Sequence, residues 1–168
     1  MQRLVEIGID SLKIEGRTKS PYYVARACQS YRQAIDDARA GRPLDPKLLG
    51  QLEGLANRGY TDVFYQRHTP QCTQNYLRGH SESGRSLYVG DIVGFDAVRG
   101  LAEFEAKNKL SQGDRIELVQ PLGVREFVVE ALLDKDGHAT ATLPGSGHRG
   151  WIRLPPDAVG AFVAKFVA

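Results

Sequence analysis

Cysteine is scarce in this chain. Its 168 residues include only two, Cys28 and Cys72, and they show no CxxC spacing. A disulfide framework is excluded, and an iron–sulfur cluster, which takes about four thiolates, cannot be built from these two alone. Charge of one sign is lacking as well. Twenty-two Lys and Arg face twenty Asp and Glu, for a net charge of +2. That is too little to steer the whole molecule toward nucleic acid or an anionic membrane, so any basic surface must be local. No apolar run approaches the roughly 20 residues of a membrane helix, and Glu6 and Asp10 interrupt the start too early for a secretory signal. The expectation is a cytoplasmic protein with neither membrane nor DNA as a partner. Repeats and low-complexity tracts are absent. The four histidines, His68, His80, His138 and His148, lack the short spacing of helical metal pairs, so no metal site is expected.

What is present divides by period. Residues 12–17 read as a short strand, with Leu12 and Ile14 alternating with Lys13, Glu15 and Arg17. Ser20 followed by Pro21 is a helix start signal. Val24, Ala27, Cys28, Tyr31, Ile35 and Ala38 then recur on one helical face until Gly41. On that face Cys28 is expected to be buried and inert. A strand and helix of this kind cannot fold as an island, so the chain reads as cut at its N-terminus. Asp45-Pro46 starts a second, short helix carrying Leu48, Leu49, Leu52, Leu55 and Ala56 and ending at Gly59. Residues 60–85 have no period and read as a long connection.

From Ser86 onward the period is two. Alternating faces run through 87–95, 102–106, 116–119, 127–133, 139–143 and 151–154, with Asp136-Gly137 as a hairpin signal. About six short strands at this spacing predict a small antiparallel barrel. Residues 157–168, apolar on several sides, read as a tail with a closing helix. The expected division is 1–59, 60–85, 86–156 and 157–168, in an α+β chain.

The stretch from Ser11 to Ser20, followed by Tyr22-Tyr23, resembles one near the end of the barrel domain of the collagenase-like peptidase family U32. Leu52-Glu53-Gly54-Leu55-Ala56, Arg58-Gly59-Tyr60-Thr61, Gln74-Asn75-Tyr76, Val89-Gly90-Asp91, Lys107-Asn108-Lys109 and Gly113-Asp114 extend the resemblance in family order. Their combination is most similar to the tRNA-hydroxylation branch of that family. The resemblance implies an N-terminal β/α barrel, of which residues 1–59 are the last strand-helix remnant plus a short helix. It also implies a C-terminal barrel resembling elongation-factor domain II. The implied activity is prephenate-dependent 5-hydroxylation of the tRNA wobble uridine. The implied partners are tRNA and prephenate or another small carboxylate. An iron–sulfur cluster is implied for the full-length protein, on cysteines that match neither Cys28 nor Cys72. No cofactor is expected on this chain, which by itself is expected to be inactive.

In such a barrel, polar side chains at a strand's C-terminal end face the substrate mouth. Arg17 would clamp a carboxylate, assisted by Lys13, and Glu15 would act in proton transfer, making Glu15 and Arg17 the catalytic candidates. Tyr22 and Tyr23 are secondary substrate-binding candidates. The alternative is an ion-pair ladder for the charges and core-edge packing for the tyrosines. In the connection, Arg58, Arg67, Arg78 and Arg85 lie among Tyr60, Phe64, Tyr65 and Tyr76. That mixture suits phosphates and unpaired bases, and equally a solvated loop anchored by its aromatics. The rival functions are a peptidase of the same family and a non-catalytic RNA-binding or partner-binding module.

Overall fold

The computed structural model describes residues 1–55, 86–121 and 123–166. Among them the elements are α1 (Gln2–Glu6), α2 (Pro21–Arg39) and α3 (Pro46–Glu53), followed by the strands β1 (Ser86–Asp96), β2 (Leu101–Ala106), β3 (Leu110–Ser111), β4 (Arg115–Gln120), β5 (Gly123–Val128), β6 (Leu132–Asp134), β7 (Thr142–Leu143), β8 (His148–Ile152) and β9 (Phe162–Phe166). The chain is thus α+β with antiparallel pairing. No described helix is long and apolar enough to cross a membrane. The residues fall into two compact units, Met1–Glu15 with Ser30–Arg85, and Gly16–Gln29 with Ser86–Ala168.

In the first unit, the start of α3 follows its sequence signal. Asp45 accepts the backbone N–H of Lys47 at 2.9 Å, and Pro46 occupies the first turn. The later part of α2 buries Ser30, Ala34 and Asp37. Ser30 donates to Gln51 at 3.0 Å. Asp37 accepts from Arg42 at 2.8 Å and from Gln33 at 3.0 Å, and these bonds, Arg42 first, hold its carboxyl below the usual range. Gly41, with φ of +69°, ends the helix.

The strand expected at residues 12–17 does not form. Residues 9–16 carry no regular structure, and Leu12 and Ile14 stay 40% and 38% exposed. A strand exists only through its ladder, and none of the described strands pairs with this segment.

In the second unit the main sheet has the order β5-β4-β9-β1-β2-β8-β6, with β3 and β7 forming a separate pair. Ile92, Phe104, Leu118, Ile152 and Val163 lie in one buried apolar cluster. The expected closing helix at 157–168 is corrected. A 3-10 turn at Pro156–Ala158 leads into β9, which sits between β1 and β4. Val163 and Ala164 are both fully buried, on opposite faces of that strand. Burial on two sides erases the alternation that identifies a strand in sequence. The run expected at 127–133 breaks into β5 and β6, because Val129 leaves the ladder to exchange backbone bonds with Gly113 and Asp114. The Asp136-Gly137 hairpin forms as expected, with Gly137 at φ of +89°.

The other face of β1, β9 and β4 is also covered. Tyr88 and Glu117 flank Ala164 in register, and the first turns of α2 lie over them through Tyr22, Arg26 and Gln29. The small Ala164 side chain keeps that face shallow enough for a helix to approach.

Gly150 on β8 is opposite Phe104. A Cβ there would stand 2.4 Å from the Leu133 carbonyl oxygen and 2.5 Å from Leu143. Gly150→Ala is therefore expected to destabilise the sheet by about 3 kcal/mol, in the range of core overpacking. Urea unfolding of the two proteins measures it, and an unchanged midpoint would contradict the close approach.

Candidate functional site

The N-terminal end of α2 carries the chemistry-bearing residues of the second unit. The Ser20 side chain accepts the Tyr23 N–H at 3.2 Å, capping the helix. Ahead of the cap the chain turns back on itself, with the Lys19 N–H bonded to the Gly16 carbonyl at 2.9 Å. Gly16 packs so closely on the helix that a Cβ would meet the Val24 side chain at 2.8 Å. The Lys19 ammonium lies over the Tyr23 ring, 4.8 Å from its centre. Arg17 is thus carried on a tight turn folded against the first turn of α2.

That helix end is held on the sheet by two buried contacts. The Tyr22 ring stacks on Tyr88, with centroids 5.0 Å apart and planes 10° from parallel. Phe162 meets Tyr22 and Tyr88 edge-on at 6.2 and 6.0 Å. The Tyr22 hydroxyl shares a 3.4 Å bond with Ser86, and the Tyr88 hydroxyl donates to Asp91 at 2.7 Å. One turn further, Arg26 pairs with Glu117 at 3.3 Å, their side chains only 5% and 13% exposed. Arg26 also donates to Gln29 at 3.3 Å, and Gln29 to the Gln120 carbonyl at 3.1 Å. The Arg26 Nε is buried without a partner.

Burial pushes the Glu117 carboxyl up, outweighing the opposing pull of Arg26. Desolvation therefore takes back much of what the pair contributes to stability, while its direction remains specific.

Several sequence expectations are changed here. Lys13 and Glu15 lie in the irregular segment and pair at 3.6 Å, their side chains 85% and 69% exposed. They belong to the first compact unit and Arg17 to the second. Tyr22, a substrate-binding candidate, is instead buried in the aromatic cluster with its hydroxyl turned to Ser86. Tyr23 is under Lys19. Cys28, expected to be buried, is exposed, because the buried side of α2 runs through Tyr22, Arg26, Ala27, Ser30, Ala34 and Asp37. Arg58, Arg67, Arg78 and Arg85 lie outside the described residues.

Asp134, Asp136 and His138 bring ligand-type atoms within 4.8 Å of one another, a grouping with no sequence warning. Asp134 there accepts the backbone N–H groups of Asp136 and His138, each at 2.9 Å, so its carboxylate serves the hairpin turn. Sequence reasoning missed Arg26 and Glu117. Their types announce nothing, and only the 91-residue contact between them makes them a pair.

The sequence profile of peptidase family U32 matches residues 1–75, and that of the U32 C-terminal domain matches residues 85–163. The chain belongs to peptidase family U32. It is 48% identical over 157 residues to tRNA hydroxylation protein P of Escherichia coli, covering 94% of this chain and 34% of that protein. It is 31% identical over 127 residues to a collagenase of Porphyromonas gingivalis, covering 72% of this chain and 30% of that protein. The solved C-terminal domain of a Geobacillus thermoleovorans U32 peptidase matches with a TM-score of 0.43 at 19% identity, over 47% of this chain and 98% of that one. The chain thus spans about a third of the length of the curated relatives it matches.

The cysteines of this U32 chain do not fit an iron–sulfur cluster. Cys28 is a free thiol on the exposed side of α2, Cys72 lies outside the described residues, and two thiolates fall short of the usual four or so.

The aromatic cluster gives this U32 chain a titration signature. Burial, opposed only in part by Ser86, pushes the Tyr22 hydroxyl up. Burial and then the bond to Asp91 push Tyr88 far higher. Unfolded tyrosines release protons near pH 10, whereas these two hold theirs when folded. What these two tyrosines contribute to stability is therefore fully present below about pH 10 and is lost as pH rises above it. Tyrosinate absorbance should show two late-titrating groups, one of them lost in Tyr22→Phe. Ionisation of both together with exposed tyrosine would count against the cluster.

Proposed function

We propose that this chain is the C-terminal part of a tRNA-hydroxylation protein, acting in prephenate-dependent 5-hydroxylation of the wobble uridine. The observation that carries this reading is the 48% identity to a protein of that name over 94% of the chain. In this reading residues 1–59 end a β/α barrel, whose remaining strands would cover the exposed side chains of Ile7, Ile9, Leu12 and Ile14. Residues 86–166 form the C-terminal domain, whose sheet closes as a small barrel similar to elongation-factor domain II. The protein works in the cytoplasm.

Arg17 clamps a small dicarboxylate bidentately, because its planar guanidinium matches a carboxylate with two parallel hydrogen bonds. Tyr23 flanks the turn that carries Arg17. Arg58, Arg67, Arg78 and Arg85 in the connection meet tRNA phosphates. No step is assigned to a cluster, since the thiols present do not fit one.

A second reading is proteolysis, favoured by the 31% identity to a protein named collagenase.

The complete coding sequence that contains this chain, expressed in a strain lacking tRNA hydroxylation, should restore the modified uridine. Arg17→Ala should lower the restored fraction by about tenfold or more, as expected for loss of a bidentate charged contact. Mass spectrometry of digested tRNA measures both. Full restoration by Arg17→Ala would remove that residue from the site, and no restoration by the unaltered sequence would reject the hydroxylation reading. Release of peptides from gelatin by the same protein would favour the second.

A further inference from the structure

The two family profiles meet between residues 75 and 85, but the compact unit does not respect that seam. It takes Gly16–Gln29 from the first match and joins them to Ser86–Ala168. The joint is made by buried and half-buried groups: the Tyr22, Tyr88 and Phe162 rings, the Arg26–Glu117 pair, and the Gln29 bond to the Gln120 carbonyl. An ion pair this buried makes a poor source of stability, and the orphaned Arg26 Nε makes it poorer still. Its distinctive property is direction. A guanidinium held between Glu117 and Gln29 fixes both the rotation and the height of α2 on the sheet.

What α2 carries at that end is the turn with Arg17. The turn cannot move independently of the helix, since Gly16 is packed on Val24, the Lys19 N–H is bonded to Gly16 and Lys19 covers Tyr23.

We infer that Arg26 and Glu117 are positioning residues, through which the C-terminal domain sets the placement of Arg17 for the substrate carboxylate. The C-terminal domain is then a working part of the substrate site, and neither residue touches substrate. This role rests on the proposed use of Arg17, whereas the clamp itself is independent of it.

Two measurements separate the clamp from the role. In the full chain, hydrogen exchange of the Tyr23, Val24 and Ala27 amides should rise about tenfold or more in Arg26→Met and in Glu117→Gln, with Phe104 and Ile152 unchanged. Gln29→Ala, which leaves the ion pair in place, should give a smaller rise in the same amides and keeps the test available if a single charge variant fails to fold. Arg26→Met combined with Glu117→Met should bring exchange back toward the starting rate, because no unpaired charge remains.

In hydroxylation assays with the complete coding sequence, each single charge variant should raise KM for the carboxylate substrate about tenfold and leave kcat within about twofold, and the double variant, which removes the unpaired charge but also the directional pair, should keep KM raised. Unchanged exchange in the singles and in Gln29→Ala overturns the clamp. Raised exchange with an unchanged KM overturns the positioning role and leaves the hydroxylation reading intact. If the unaltered protein hydroxylates nothing, the hydroxylation reading fails along with this role for Arg17, while the exchange rates still decide the clamp.

Discussion

An arginine and a glutamate withdrawn from water, 3.3 Å apart, tie the first turns of α2 to β4. Each charge needs the other, because a buried charge without its partner is among the most costly defects a small domain can hold. The requirement extends outward. Glu117 is placed by the β4–β9 ladder opposite Ala164, so the position of Arg26 depends on the register of that ladder. The aromatic cluster of Tyr22, Tyr88 and Phe162 lies one helical turn earlier and supplies the apolar burial that the ion pair does not. Packing energy and directional constraint therefore come from different residues on the same face of α2.

The sequence disclosed most where a rule is local. Ser20-Pro21, Gly41 and Asp45-Pro46 mark real helix ends, and Asp136-Gly137 marks a real hairpin. Alternation located β2 cleanly, because it buries one face and leaves the other more open, whereas β1 and β4 keep the pattern only in part, with neighbouring residues buried together. It failed for residues 12–17, where the pattern is present but no described strand pairs with it, and for β9, where burial on both faces removed the pattern. The face of α2 was misjudged for a related reason. Apolar spacing pointed to Cys28 and Tyr31, but the helix buries Arg26, Ser30 and Asp37, three polar residues whose partners are distant in sequence or outside the apolar code. A candidate site built from polar groups on a buried face is hard to read from a pattern that treats polar as exposed.

Family membership and structure constrain different things. The U32 assignment rests on agreement along nearly the whole chain, and it brings both a hydroxylation name and a collagenase name into view. The structure shows what the described residues can hold in place. Lys13 and Glu15 form an exposed pair in an irregular segment, whereas Arg17 is on a turn locked to a helix whose own seat is buried. Among the described candidates for chemistry, Arg17 sits on a turn whose support comes from the domain matched by the second family profile.

The position of β9 bears on how this sheet is made as the ribosome delivers it. β1 and β4 are separated in the finished sheet by a strand translated after both. Until residues 162–166 emerge, the inner edges of β1 and β4 have no ladder partner, and the seats for Tyr22 and Arg26 are incomplete because Phe162 and Ala164 are missing from them. The nascent domain thus passes through a stage with two open strand edges, which invite pairing with other chains. A helix translated early must wait for a strand translated late. Shielding during synthesis is consequently most valuable to this sheet just before β9 arrives.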